Sequence, residues 1–293
     1  MKLFLFTVFL FSLLSVAAQH KVAKPEIGIV ADFEQDSLLH ANGYKYLVES
    51  IVKCFSPIKT SDEQFELRLK QFSSLHLSVF AMNIFMPGDM KLVGPDVKED
   101  AILKYAESVF ERCRRAGVTM VIWGSGGARR VPDGFDHNKA KDQFIHIAGK
   151  VAVLAKKYKI DLALENLNST ETNFINTVED AFDVVKKVDQ KNFWLCVDIY
   201  HMLMEGEQPG VIEKTKKKLI HCDIAEKVKR APPGVSGDDF RPYLSMLKKI
   251  NYSGKIVLEC RFTDFPTQLS SARINLQKQI DDVYTPLTPS RGN

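Results

Sequence analysis

Four carboxylate side chains in the second half of the sequence each come directly after an apolar run. Burying a carboxylate is costly unless the group is paired, hydrogen-bonded or bound to a metal ion. Carboxylates that converge on one site also repel each other and raise one another's pKa values, and a divalent cation removes both penalties. The pattern therefore predicts a metal site formed by Glu165, Asp198, Asp223 and Glu259.

Two histidines lie close to these carboxylates in the sequence. His201 follows Asp198 by three residues, in the turn that leaves the apolar run, where an imidazole can contact a substrate or a metal ion. His221 has the same strand parity as Asp223, so both side chains should point to the same face, with Asp223 nearer the end of the strand. We therefore treat both histidines as candidate substrate-binding residues.

These residues lie within a regular alternation of short apolar runs and longer segments with helical periodicity. The predicted strands are Ile27–Ala31, Lys53–Pro57, Leu77–Phe85, Thr119–Trp123, Asp161–Glu165, Phe193–Asp198, Leu219–Asp223 and Lys255–Cys260. The predicted helices are Leu38–Val52, Ser61–Phe72, Lys98–Ala116, Asn138–Tyr158, Thr177–Val188, Pro209–Lys217, Asp239–Ile250 and Pro266–Val283.

Eight strand and helix units predict an α/β fold, a (β/α)8 TIM barrel with a closed parallel sheet. The strands are almost continuously apolar, which is typical of a sheet covered on both faces. An open dinucleotide-binding sheet loses its main support, since no G-x-G-x-x-G follows the first strand. A TIM barrel carries its active site at the carboxyl ends of its strands, which is where the four carboxylates fall.

Composition and charge exclude several classes of protein. The chain has 293 residues, 45% hydrophobic and 26% charged, which excludes a disordered, a collagen-like and a polytopic membrane protein. The net charge is +4 and both signs are spread along the chain, so the sequence predicts no nucleic-acid partner. The predicted partner is a small molecule, and a homo-oligomer is compatible with the sequence.

The first 18 residues have the features of a secretory signal peptide. Lys2 precedes an apolar run over Leu3–Val16, and Ala17 and Ala18 provide small residues at its end. The run is shorter than the roughly 20 residues of a membrane span. We expect a signal peptide over 1–18, a single barrel domain over 19–293, and an exported protein, periplasmic or secreted, that leaves the membrane after cleavage.

The cysteines argue against a disulfide scaffold. Their number is odd, they are widely spaced, and none forms a C-x-x-C pair. We predict free thiols that act as small buried hydrophobic groups. They are Cys54, Cys113, Cys196, Cys222 and Cys260.

With these motifs the sequence resembles the sugar phosphate isomerase/epimerase family. These are xylose isomerase-like TIM barrels that include ketose 3-epimerases, hydroxypyruvate isomerases and inosose dehydratases. Residues 165–177 are similar to the family's E-P-L-N…E…F-x-N-T segment, with Asn166 in place of the proline. Residues 198–202 resemble its D-x-x-H-M turn, residues 225–234 its substrate-binding loop, and residues 258–260 its last strand.

The resemblance implies one divalent metal ion held by Glu165, Asp198 and Glu259, with Mn²⁺ or Mg²⁺ favoured and Co²⁺, Zn²⁺ or Ca²⁺ as alternatives. It also implies proton transfer next to a carbonyl of a small carbohydrate, through an enediolate, with the two glutamates on either side of the substrate. The positions that contact sugar hydroxyls match His201, Glu171 and Arg230.

A second departure from the family pattern, besides Asn166, falls at a metal-ligand position. The family has H-x-H-x-x-D/E on its seventh strand and uses the second histidine as a metal ligand, whereas residues 221–226 read H-C-D-I-A-E. Asp223 therefore stands at the ligand position, which favours harder ions and adds negative charge. The altered ligand leaves open whether the site is still active.

Three functions remain compatible with the sequence. The favoured one is a metal-dependent sugar isomerase or epimerase, and a lyase or dehydratase on the same scaffold follows, since proton abstraction can end in elimination. The third is a non-catalytic sugar-binding barrel, which the change at Asp223 motivates. A phosphodiester-cleaving enzyme is disfavoured, because it would need more histidines and a DNA-binding face. We expect a free or oxidised sugar rather than a phosphorylated one.

Overall fold

Eight parallel strands pair in chain order and close on themselves, with the last strand paired to the first. The computed structural model describes residues 22–285, and the predicted signal peptide lies outside them. The (β/α)8 barrel predicted from the sequence is confirmed. The strands are β1 (Glu26–Val30), β2 (Tyr46–Ser50), β3 (Ser78–Asn83), β4 (Met120–Trp123), β5 (Asp161–Glu165), β6 (Phe193–Asp198), β7 (Leu219–Ile224) and β8 (Lys255–Leu258).

Helices follow the strands and cover the outside of the barrel. They are α1 (Asp36–Ala41), α2 (Ile51–Cys54), α3 (Asp62–Phe72), α4 (Glu99–Arg115), α5 (Gly126–Arg129), α6 (His137–Lys157), α7 (Val178–Val188), α8 (Ile199–Glu205), α9 (Val211–Thr215), α10 (Arg241–Lys249) and α11 (Phe265–Tyr284). Over residues 22–285 none of them combines the length and the apolar character that crossing a bilayer requires.

Local sequence signals explain where several helices begin. The α3 helix opens with a complete capping box, in which the Gln64 amide donates to Ser61 Oγ and the Ser61 amide donates to Gln64 Oε1 at 2.9 Å. This arrangement satisfies two amides that the first turn of a helix otherwise leaves free. The α7 helix begins with a simpler cap, in which the Thr177 hydroxyl accepts from the Asp180 amide.

The sequence pattern misplaces the elements around the second strand, and it also omits the short helices α5 and α8. A helix over Leu38–Val52 and a strand over Lys53–Pro57 are both wrong, because α1 ends before a turn at Gly43, whose φ is +81°. The chain then enters β2, which pairs with β1 and β3. Leu47 and Val48 are fully buried on opposite faces of this strand, so the segment has no polar face to reveal its period.

The hydrophobic core has two layers. The larger layer lies between the strands and the helices, and the smaller one fills the inside of the barrel. The inner layer is built mostly from small side chains of six strands, as the narrow interior of an eight-stranded barrel requires. Its members are Val48, Ala81, Ile122, Ala163, Cys196 and Val257. This packed layer forms the floor beneath the carboxyl ends of the strands.

Candidate active site

The structure brings the four strand-end carboxylates together at one mouth of the barrel. Glu165 and Asp198 are the last residues of β5 and β6, Asp223 lies opposite Asp198 on β7, and Glu259 directly follows β8. Asp198 and Asp223 are almost fully buried, Glu165 is 7% exposed, and the Glu259 side chain is 24% exposed. The site is therefore a largely buried cluster of carboxyl groups, and Glu259 is its most exposed member.

A single arginine links these carboxylates to the rim. The Nη2 atom of Arg230 lies 2.6 Å from Glu259 Oε2 and 3.2 Å from Asp198 Oδ2. Its Nη1 atom lies 3.3 Å from Glu171 Oε1, and its guanidinium lies 4.8 Å from the centre of the Tyr200 ring. Glu171 is more exposed than the others, so it lies at the outer edge of the site. One arginine offsets only part of the negative charge.

Burial, together with repulsion between the carboxylates, raises the pKa values of the site. Burial raises the pKa of Asp198 to about 7 and that of Glu259 to about 8, although the guanidinium of Arg230 acts in the opposite direction on both. Burial also raises the pKa of Glu165 well above its usual range, and the neighbouring Glu259 and Asp198 raise it further. Within the protein alone, ionisation of these carboxyl groups is therefore unfavourable. An additional positive charge in the site would make it more favourable.

The arrangement of donor atoms fits a divalent cation. One ligand atom from each of Glu165, Asp223 and Glu259 lies within 4.8 Å of the other two, and Asp198 lies opposite Asp223 on the neighbouring strand. The donors are mostly carboxylate oxygens, the ligands that Mg²⁺ and Mn²⁺ prefer. The residues present therefore fit the metal that the sequence resemblance implies.

His201 is held as a neutral hydrogen-bond donor. Its Nδ1 accepts from the Asn168 backbone amide at 3.1 Å, so the proton of the ring must be on Nε2. Burial lowers the pKa of His201 to about 3, which keeps the ring uncharged. The Nε2 atom has no hydrogen-bond partner within the described part of the chain, and it lies 3.2 Å from Asp198 Oδ2 and 3.7 Å from Glu165 Oε1. It is available to donate to a substrate oxygen.

His221 lies one layer deeper than the other candidate substrate-binding residues. Its Nε2 is 2.9 Å from Asp223 Oδ1, and its ring centre is 5.8 Å from that of Phe80 inside the barrel. The side chain is 1% exposed. Contact between His221 and a substrate remains a prediction, whereas its contact with Asp223 is part of the structure.

Asn83 belongs to the site but was not identified from the sequence. It is the last residue of β3, and its Nδ2 donates to Glu259 Oε1 at 3.3 Å. Its Oδ1 is buried and has no partner among the described residues. Asn83 ends the observed β3, but the predicted strand continued to Phe85 and placed Asn83 inside it, so the sequence pattern gave no sign that this residue belongs to the site.

Two further residues fix the position of Glu165. Arg129 is fully buried and donates from Nη1 to the main-chain oxygen of Glu165 at 2.8 Å and from Nη2 to that of Ile175 at 3.2 Å. Gly124 follows β4, and a Cβ atom there would collide with Glu165 Oε2. Neither role leaves a signal in the sequence, because both depend on how β4 and β5 lie side by side.

A family comparison now identifies the scaffold. Residues 38–279 match the family model described as xylose isomerase-like TIM barrel. The chain belongs to this family. The match spans all the strand ends of the candidate site, from β2 to the residues after β8, so the family assignment and the geometry concern the same part of the molecule.

Curated relatives in this family are named as sugar epimerases and isomerases. A D-psicose 3-epimerase from Ruminiclostridium cellulolyticum is 27% identical over 175 residues, which cover 56% of this chain and 57% of the relative. A putative hydroxypyruvate isomerase from Mus musculus is 32% identical over 147 residues, covering 46% of this chain and 52% of the relative. The chain thus matches little more than half the length of these relatives, within a family of sugar epimerase-like and isomerase-like proteins.

Solved structures share the fold over most of the chain. A D-psicose 3-epimerase with D-tagatose from Clostridium cellulolyticum has a TM-score of 0.71 and 19% identity, covering 88% of this chain and 95% of that one. An L-ribulose 3-epimerase has a TM-score of 0.74 at 19% identity, with 88% and 95% covered. At this level of identity the likeness shows the fold alone.

Proposed function

We propose that this protein is a metal-dependent sugar epimerase or isomerase. It removes a proton from the carbon next to the carbonyl of a small carbohydrate, which gives an enediolate, and then returns a proton to that intermediate. The observation that carries the proposal is the group of buried carboxylates at the mouth, where Glu165 and Glu259 approach one space from β5 and from the segment after β8. Two carboxylates that face one bound carbon can remove a proton on one side and return it on the other.

Glu165, Asp198, Asp223 and Glu259 would hold one divalent ion, with Mn²⁺ or Mg²⁺ preferred by the oxygen donors. When bound, such an ion polarises a carbonyl and stabilises the negative charge that develops on oxygen.

The other residues of the site orient the sugar and the acid–base pair. The Nε2–H of His201 and the guanidinium of Arg230 are donors that face the carboxylates, and they would bind sugar oxygens. The free Oδ1 of Asn83 would accept from a sugar hydroxyl while its Nδ2 holds Glu259. Arg230 already contacts three carboxylates, which leaves it poorly placed to bind a phosphate, so we propose an unphosphorylated sugar.

Glu259→Gln tests this function directly. Incubation of a ketose in deuterated water with the Mn²⁺-loaded protein should incorporate deuterium next to the carbonyl, and the glutamine variant should lose at least about 100-fold of the rate, since acid–base catalysis contributes about 10²–10⁴-fold. Unchanged exchange in the variant would remove Glu259 from the mechanism.

Glu49→Gln is the matched control for that experiment. Glu49 is also a buried glutamate near the end of a strand, but it accepts from the Phe33 and Ser50 amides at 2.7 Å and takes no part in the mouth. Its variant should keep the exchange rate. Product analysis separates the alternatives, since deuterated starting sugar and epimer indicate epimerisation, loss of water indicates a lyase, and no exchange with any ketose indicates a binding protein.

We also propose that the protein is exported and that a barrel over 19–293 remains after removal of residues 1–18. The basis is the charge and apolar pattern of the first 18 residues. Amino-terminal sequencing of the protein recovered from its native host should begin at Gln19. An intact Met1 in the mature protein would contradict the proposal.

A further inference from the structure

We infer that Cys196 and His221 are positioning residues that hold Asp223 as a metal ligand from inside the barrel. The inference rests on the proposed metal-dependent function and deepens it. It concerns Asp223, which stands where the resemblance to the family implies a histidine ligand.

Strand register brings these three side chains together. Cys196 on β6 lies opposite His221 on β7, and Asp223 follows His221 by two residues, so it points to the same side of the strand. That side is the barrel interior, because Cys196 packs in the inner layer with Ala163 and Val257. All three side chains are almost completely buried.

Both oxygens of Asp223 are engaged by this pair. The Cys196 thiol donates to Oδ2 across 3.3 Å, and His221 Nε2 lies 2.9 Å from Oδ1. A carboxylate only accepts hydrogen bonds, so the His221 proton is on Nε2. The two donors come from below and leave the remaining lone pairs of the carboxylate directed toward the mouth, where an oxygen of Asp223 lies within 4.8 Å of ligand atoms of Glu165 and Glu259.

This geometry explains how an aspartate can serve at a histidine position. An imidazole has a rigid ring that needs one outer hydrogen bond to fix its orientation, whereas a short carboxylate can rotate about its terminal bond. Two donors at fixed positions on neighbouring strands prevent that rotation and partly offset the negative charge. Outer hydrogen-bonding partners of this kind are typically worth about 10–100-fold in metal affinity.

Mn²⁺ affinity of the metal-free protein, measured by electron paramagnetic resonance of free Mn²⁺, tests the inference without recourse to activity. Cys196→Ala and His221→Phe should each weaken binding by about 10–100-fold, because each removes one donor to Asp223. Cys196→Ser and His221→Gln keep a donor and should bind more tightly than the corresponding donor-free variants. Cys113→Ala truncates an equally buried thiol on α4, far from the site, and should leave the affinity unchanged.

A double-mutant cycle shows whether the effect passes through Asp223. In an Asp223→Ala background, Cys196→Ala should change the Mn²⁺ affinity by less than about twofold, since the group it acts on has been removed. An equal loss in both backgrounds, or donor-free variants that bind as wild type does, would overturn the inference while leaving the proposed function intact. Wild-type protein that binds no Mn²⁺ would overturn both.

Discussion

The two ends of the barrel use the same uncommon backbone conformation in different settings. At the amino ends of the strands, left-handed φ angles occur at Lys159, Asp189 and Asn251, each between the end of a helix and the start of a strand. At the carboxyl ends they occur at Ser125, Lys229 and Arg230 and also at two β-branched residues, Ile84 and Ile175, whose φ angles are 49° and 60°.

The energetic meaning of this conformation differs between the two ends. A left-handed residue commonly ends a helix, and Asp189 does so with its amide donating to the Val185 carbonyl. A β-branched residue in the same region costs of order 1–3 kcal/mol and persists only where the surrounding structure imposes it. Ile84 directly follows Asn83, which holds Glu259, and the Ile175 carbonyl accepts from Arg129. The strain at the mouth therefore accompanies the positioning of site residues.

Charge separates the two ends as well. The last turns of α6, α7 and α10 carry pairs of lysines, which interact favourably with the helix dipoles at the amino ends of the strands. The mouth instead concentrates carboxylates whose pKa values are raised by burial. The charges at the amino ends of the strands therefore stabilise the fold. The carboxylates at the mouth are unfavourably buried, and they are the residues to which we assign chemistry.

The largest effect is expected from the comparison of two separate glycine-to-alanine substitutions, one at the mouth and one in an outer helix. Gly124→Ala at the mouth should push the Glu165 carboxylate out of place and lower turnover by about 100-fold, the usual cost of a displacement near 1 Å at a reacting group. Gly149→Ala in the middle of α6 meets no atom within 4 Å and should instead stabilise the fold by up to about 1 kcal/mol. Steady-state kinetics and denaturant unfolding of both variants measure the contrast, and equal activity in the two would contradict it.

A reciprocal exchange tests the strained backbone. Ile84→Asn places a residue that tolerates the left-handed region at the mouth and should raise the free energy of unfolding by roughly 1 kcal/mol, since Ile84 is already 51% exposed. Asn251→Ile at the base, where φ is 59°, should lower it by roughly 1–2 kcal/mol. Urea unfolding gives both values, and a change of the same sign at both sites would show that the two ends do not differ in this respect.

The smallest effect concerns an ion pair on the outer helices. Hydrogen bonds from Lys141 and then Lys187 lower the pKa of Asp183 to about 2, so the ionised form stabilises the fold above the ordinary aspartate pKa and loses that effect as the pH falls toward 2. Because Asp183 is 31% exposed, Asp183→Asn should cost less than about 1 kcal/mol at neutral pH. Urea unfolding between about pH 7 and pH 3 should show the difference shrinking with acidity, and a constant difference would contradict the assignment.

Sequence alone predicts the half of the barrel that carries the carboxylates better than the first half. The predicted bounds of β5 and β6 coincide with those observed, because each is a continuous apolar run that ends in an acid. The β2 strand was missed, since its buried residues on both faces merge with the periodicity of α1 and only Gly43 marks the turn.

Some residues of the site can be predicted from a single segment of the sequence, whereas others act only through contacts between segments. The four strand-end carboxylates are visible because burial of an acid is costly wherever it occurs. Asn83, Arg129 and Gly124 act through neighbouring strands and loops, and the contact of Cys196 with Asp223 depends on a register shift between β6 and β7. No pattern within one segment contains that register, so only the folded structure reveals it.

The most direct test is anomalous diffraction from a crystal soaked in Mn²⁺. Our account predicts one strong peak at the mouth of the barrel, within bonding distance of Glu165, Asp198, Asp223 and Glu259. An empty mouth at saturating Mn²⁺, or a peak only at the separate acidic group formed by Asp32, Glu34 and Glu49, would contradict it.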